Sequence, residues 1–159
     1  MLCKQNMDKT NVMRILDQKK IKYLPHTYNT DIVDGISIAS ALNEPVERVF
    51  KTLVTVANTG ANFVFCVPVA ETLDLKKAAK VVGVKSIAMI KQKDLLPLTG
   101  YIHGGCSPIG MKKPFRTTIH ASAKEFENFF VSAGRVGYQI EVNPLDLANL
   151  ISAKFEEII

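Results

Sequence analysis

Apolar residues recur at helical spacing just after Thr10, where Val12, Met13, Ile15 and Leu16 form one stripe ahead of Lys19-Lys20. The pattern predicts a first helix. It then gives way to an extended stretch over residues 22–28, interrupted by Pro25 as suits an edge strand. Asp34-Gly35 signals a turn, and Ser37 is placed to cap a short helix reaching Leu42. Two β-rich runs, 49–57 and 62–69, flank Asn58-Thr59-Gly60-Ala61, which has the chemistry of a hairpin loop. Residues 74–82 read as a helix closed by Gly83 in the left-handed position past its end. A strand over 85–90 and a short helix over 91–98, interrupted by Pro97, follow. Residues 100–114 hold four glycines and no periodicity. A strand over 116–120 leads into Ser122-Ala-Lys-Glu125, which reads as a capping box opening another helix. Strands over 128–132 and 137–142 flank the turn Ala133-Gly134, and Asn143-Pro144 starts a terminal helix.

Hairpins beside short helices, without a regular βαβ rhythm, predict an α+β arrangement of the α/β class. The expected architecture is one domain over residues 1–159, with a mixed, curved, barrel-like β-sheet flanked by helices. A chain of 159 residues can bury roughly 70% of its unfolded surface, so a core needs no staples.

Composition narrows the chemistry only slightly. Cys3, Cys66 and Cys106 are odd in number and widely spaced, and His26, His103 and His120 are scattered, so neither a disulfide framework nor a metal site is expected. The longest apolar stretch, 63–70, is too short to span a bilayer, and the N-terminal segment lacks a signal-peptide core. A cytoplasmic protein is the expectation. A net charge of +5, from 20 basic and 15 acidic residues, leans mildly toward polyanionic partners.

Three places depart from a bland fold. Strand alternation puts Lys51 on the same face as Val49 and Leu53. It is either an edge-strand lysine that reaches water or an ammonium at the mouth of a pocket. Thr52 points to the other face, with its backbone N–H still able to line a pocket. The glycine-rich stretch Thr99–Gly110 would let backbone N–H groups approach an oxyanion, and its Cys106 and His103 raise the idea of a thiol nucleophile. A polar turn carries Ser132 and Gln139, which either donate into a site or complete the turn.

In this order and spacing these segments resemble the YbaK/EbsC family of aminoacyl-tRNA deacylases, relatives of the editing domain of bacterial prolyl-tRNA synthetases. The resemblance runs through His26-Thr27-Tyr28, Val49-Phe-Lys-Thr-Leu53, Pro68-Val-Ala, Leu73-Asp-Leu-Lys-Lys-Ala-Ala79, Gly104-Gly-Cys-Ser-Pro-Ile-Gly110 and Val131-Ser-Ala-Gly134. It implies hydrolysis of Cys-tRNA(Pro), with Cys-tRNA(Cys) as a further substrate, without metal or cofactor. It also implies Lys51 and Gly104 as catalytic residues. Tyr28, Thr52, Gly105, Cys106, Ser107, Pro108, Ser132 and Gln139 are implied to line the substrate pocket. Gln139 stands where the family pattern has aspartate. The implied partners are the acceptor end of an aminoacyl-tRNA and a prolyl-tRNA synthetase; the oligomeric state is not implied. The implied mechanism uses the substrate's own thiol as nucleophile. Two alternatives stay open at this level: a non-catalytic module that binds aminoacyl-tRNA or a synthetase, and a small-ester hydrolase using Cys106.

Overall fold

The computed structural model describes residues 8–159; Cys3 and the N-terminal segment lie outside them. Helix α1 (Asn11–Gln18) begins where the Thr10 side chain accepts a hydrogen bond from the Met13 N–H. It buries Val12, Met13 and Leu16. Strand β1 (Tyr23–Thr27) follows, and then α2 (Gly35–Ala41). The cap of α2 is Asp34, whose carboxylate accepts from the Ser37 N–H at 2.9 Å, so Ser37 itself lies inside the helix.

After a short 3₁₀ turn come the hairpin strands β2 (Phe50–Ala57) and β3 (Asn62–Pro68), paired from Phe50↔Pro68 to Val56↔Asn62. Helix α3 (Leu75–Val82) is capped by Asp74 and ended by a left-handed Gly83. Strand β4 (Ile87–Met89) and helix α4 (Gln92–Thr99) precede the glycine-rich loop, with Pro97 accommodated in the last turn of α4. Strand β5 (Thr117–His120) runs into a 3₁₀ turn over Ala121–Glu125. Ser122 does not cap an α-helix there: its hydroxyl is buried without a hydrogen-bond partner. Strands β6 (Phe129–Ser132) and β7 (Tyr138–Val142) form a second hairpin. Helix α5 (Pro144–Ile151), capped by Asn143, is followed by β8 (Lys154–Glu156). That last strand has no alternating pattern to announce it; its short run pairs in parallel with β5.

The strands form two sheets, one ordered β1-β7-β6 and the other β4-β2-β3-β5-β8. They are joined by a single bridge, Val49↔Phe130, so the expected curved mixed sheet is split in two and not closed into a barrel. Strand β3 is buried on both faces. Cys66 looks into a core shared by Phe50, Phe129, Ile140 and α1, while Phe65 and Val67 look into a second core under α3. A near-continuous apolar run is what such a doubly covered strand requires. A third, smaller cluster seats α2 at the junction of the sheets through Ile38, Ala39, Val49, Val69 and Phe130.

Candidate active site

The junction leaves a gap. Strand β4 pairs with β2 only from Thr55 to Ala57, with one further bond from the Ile90 N–H to the Val54 carbonyl. At the other end Val49 bridges to β6. Between these points residues 50–53 have β3 on one side and no partner strand on the other among the described residues. A cavity of about 310 Å³ occupies this gap. That is near the lower end of the roughly 300–1,000 Å³ common for ligand pockets.

Six of the ten residues singled out from sequence line this cavity: Lys51, Thr52, Gly104, Cys106, Ser132 and Gln139. Strand β2 supplies the first two, the glycine-rich loop the next two, and the β6–β7 hairpin the pair Ser132↔Gln139. Lys51 is half-buried, and its ammonium donates to the Val69 carbonyl at 3.4 Å. Burial draws its pKa below the ordinary 10.5, with the negative charge of Glu71 acting in the opposite direction. Thr52 lines the cavity and faces Cys66, with Oγ1 3.9 Å from the sulfur.

Tyr28 reaches the same region from behind. Its N–H donates to the Gly137 carbonyl, and its phenol faces the Gln139 amide, with burial raising the phenol's pKa. Neither Tyr28 Oη nor Gln139 Oε1 completes a hydrogen bond, although Gln139 is only 4% exposed. An orphaned buried polar atom costs about 1–3 kcal/mol, and Gln139, the one of this pair that lines the cavity, marks a place for a polar ligand.

The other three candidates serve the loop. Ser107 is fully buried and its hydroxyl accepts from the Ile109 N–H, which turns the chain. Gly105 packs against the β6–β7 turn, where a Cβ would come within 3.0 Å of the Val136 nitrogen. Pro108 is buried beside a separate depression with Met111, Phe115 and Leu150. Gly104 has φ +86°, a left-handed conformation that glycine adopts freely. The Tyr101 hydroxyl, bonded to the Ile109 carbonyl, closes the loop on itself.

Cys106 does line the cavity, but burial pushes its thiol up to about 12, so at neutral pH it is protonated. The nucleophile would be the thiolate. Cys106→Ala is therefore expected to keep at least half of wild-type turnover in a single-turnover deacylation assay. A folded but dead variant would reinstate an enzyme-thiol mechanism.

Sequence reasoning missed one whole wall. Val33, Asp34, Gly35 and Ile38 close the cavity from α2, and Val69, Leu95 and His103 complete it. The Asp34-Gly35 turn signal was the available clue to the first group. Among the described residues no group of three or more His, Cys, Asp or Glu could hold a metal ion, and no helix is long and apolar enough to cross a membrane.

Comparisons agree on where this architecture belongs. A family model described as the aminoacyl-tRNA editing domain matches residues 32–150. A protein of Enterococcus faecalis with the provisional name Cys-tRNA(Pro)/Cys-tRNA(Cys) deacylase EbsC is 43% identical over 98% of this chain and 96% of its own length. A proline–tRNA ligase of Burkholderia orbicola is 29% identical over 65% of this chain, a match confined to 19% of that enzyme. Among solved structures, a protein described provisionally as a trans-editing enzyme for prolyl tRNA synthetase superposes with a TM-score of 0.81. That match has 21% identity and covers 95% of this chain and 98% of the other, so it speaks for the fold.

Proposed function

Since the chain belongs to the aminoacyl-tRNA editing domain family, we propose that it hydrolyses the ester bond of misacylated Cys-tRNA(Pro), and of Cys-tRNA(Cys) as a further substrate. The observation that carries this reading is the convergence of Lys51, the Gly104 loop and the orphaned Gln139 oxygen on one small cavity. A cysteinyl ester brings a carbonyl that becomes an oxyanion, an α-ammonium and a compact side chain. Lys51 supplies positive charge for the first, beside the Gly104 loop. Gln139 Oε1 accepts from the second, through a neutral amide where the family pattern has a carboxylate.

The lining offers no poised protein nucleophile. The Cys106 thiol is held protonated. The Asp34 carboxylate is engaged by the first turn of α2. The substrate thiol fills the role: it loses its proton to water and its sulfur attacks the ester carbonyl. The carbon–oxygen bond to the ribose then breaks, and the ribose oxygen takes a proton from water. Cysteine leaves as a cyclic thioester that water opens. Orientation and charge stabilisation are then what the protein provides. Serine and alanine esters lack a comparable nucleophile, so chemistry adds selectivity beyond what cavity size gives.

Purified protein is expected to release cysteine from Cys-tRNA(Pro), with Ala- and Ser-tRNA(Pro) turned over at least tenfold more slowly. Binding without turnover would support the non-catalytic module, and turnover of free esters alone would support the small-ester hydrolase. Selection of the tRNA through a prolyl-tRNA synthetase, in the cytoplasm, completes the proposal. The partial match to a proline–tRNA ligase supports that link.

A further inference from the structure

The exposure of the lining residues tells the floor of the cavity from its lip. Ile38, Val49, Phe50 and Gln139 are buried and make the floor. Val33, at 47% exposure, and His103 are exposed and make the lip. The loop that carries His103 comes close to Val33: a Cβ built on Gly104, the next residue, would lie 3.5 Å from Val33 Cγ1. An exposed valine and an exposed histidine thus both border the mouth of the cavity, a ledge outside the buried floor.

This imidazole is also unlike the other two. His26 and His120 each lie beside a glutamate, at 3.0 and 3.7 Å, whereas no ion pair engages His103 among the described residues. Nor does the mechanism proposed above use it. The occupant of the ledge follows from covalent connectivity. The aminoacyl group in the cavity is esterified to the ribose of the terminal nucleotide, so that ribose sits at the mouth and brings its base within reach of the lip. Unstacked bases are held chiefly by aromatic faces and apolar contacts.

We propose that His103, backed by Val33, is a stacking platform for the 3′-terminal base of the aminoacyl-tRNA, a positioning element and not a proton donor. The proposal rests on the deacylase reading given above. It makes the cavity read two parts of its substrate separately, the amino acid at the floor and the base at the lip.

The test uses the full chain and a cysteinylated acceptor-stem minihelix, either intact or with its terminal base removed. With the intact minihelix, His103→Ala is expected to raise KM about tenfold with kcat little changed, and His103→Phe, which keeps a ring face but no titratable proton, to stay close to wild type. With the abasic minihelix, wild type and His103→Ala should be alike. An unchanged KM, or the same loss on the abasic minihelix, overturns the platform while leaving the deacylase reading in place. So does a fall in kcat shared by His103→Ala and His103→Phe, which would instead show the imidazole moving a proton. A wild-type protein that binds the intact minihelix but never cleaves it overturns the deacylase reading, and the platform with it.

Discussion

Lys51→Ala is expected to lower kcat for Cys-tRNA(Pro) deacylation by about 100- to 1,000-fold, the usual cost of deleting one preorganised donor to a developing oxyanion. The folded state should change little. Lys51 is half-buried, its recorded hydrogen bond to the Val69 carbonyl is a long 3.4 Å, and strand β2 keeps its full pairing with β3. A thermal melt within a few degrees of wild type together with near wild-type turnover would remove Lys51 from the mechanism. The pH profile gives an independent reading. Burial lowers the pKa of this ammonium, so the charge that stabilises the transition state is lost as pH rises through a value below 10.5. An alkaline limb should therefore appear in kcat/KM, which reports the free enzyme, below that pH, and vanish from the residual activity of Lys51→Ala. Stability follows the opposite sign. Between the depressed folded value and the unfolded one, the unfolded chain binds more protons, so this residue's contribution favours folding more as pH rises.

How far the sequence disclosed this site depends on the physics behind each part. Hairpin β2–β3 was legible because its alternation and its loop chemistry agree, and α3 because Asp74 and Gly83 mark both ends. Strand β8 was not, since three residues paired to one neighbour leave no period to detect. The capping-box reading of Ser122 failed because the segment forms only a 3₁₀ turn, with Ser122 inside it and its hydroxyl bonded to no backbone N–H. Within the site, the residues that carry unusual chemistry for their place, a lysine in a strand and glycines in a loop, stood out. The α2 wall did not, because Val33 and Ile38 are ordinary apolar residues whose importance lies in where α2 docks. Alternation groups Lys51 with Val49 and Leu53, but all of Val49, Phe50, Lys51, Thr52 and Leu53 line the cavity, because it opens at the strand's edge. It had no means of showing that one edge of β2 is left unpaired at residues 50–53, which depends on how two sheets meet.

The docking of α2 gives the second large effect, at a residue with no side chain. Gly35 opens α2, and general helix propensity says that alanine at this position should stabilise the protein by about 0.5–1 kcal/mol. The contact decides otherwise. A Cβ on Gly35 would stand 2.5 Å from both Cβ and Cγ1 of Val69, well inside any tolerated separation. Val69 is a β-branched residue, 7% exposed, and packed in the cluster that seats α2, so it has little freedom to turn away. The helix must lift instead. Gly35→Ala is therefore expected to destabilise by about 1–3 kcal/mol, the range for overpacking a filled site. For a chain of this size that corresponds to a melting temperature lower by about 3–10 °C. The catalytic loss should be larger than the stability loss implies, because α2 forms one wall of the cavity and Val69 supplies the carbonyl that holds the Lys51 ammonium. A displacement near 1 Å at a reacting centre costs about 100-fold in rate. The second-site change Val69→Gly, which removes both the opposing Cβ and Cγ1, should restore part of the melting temperature when combined with Gly35→Ala, and part of the activity. The two substitutions would then be strongly coupled in a double-mutant cycle. Additive effects, or a Gly35→Ala protein that melts and turns over like wild type, would mean that α2 is not held against Val69, the residue just after β3, by this contact.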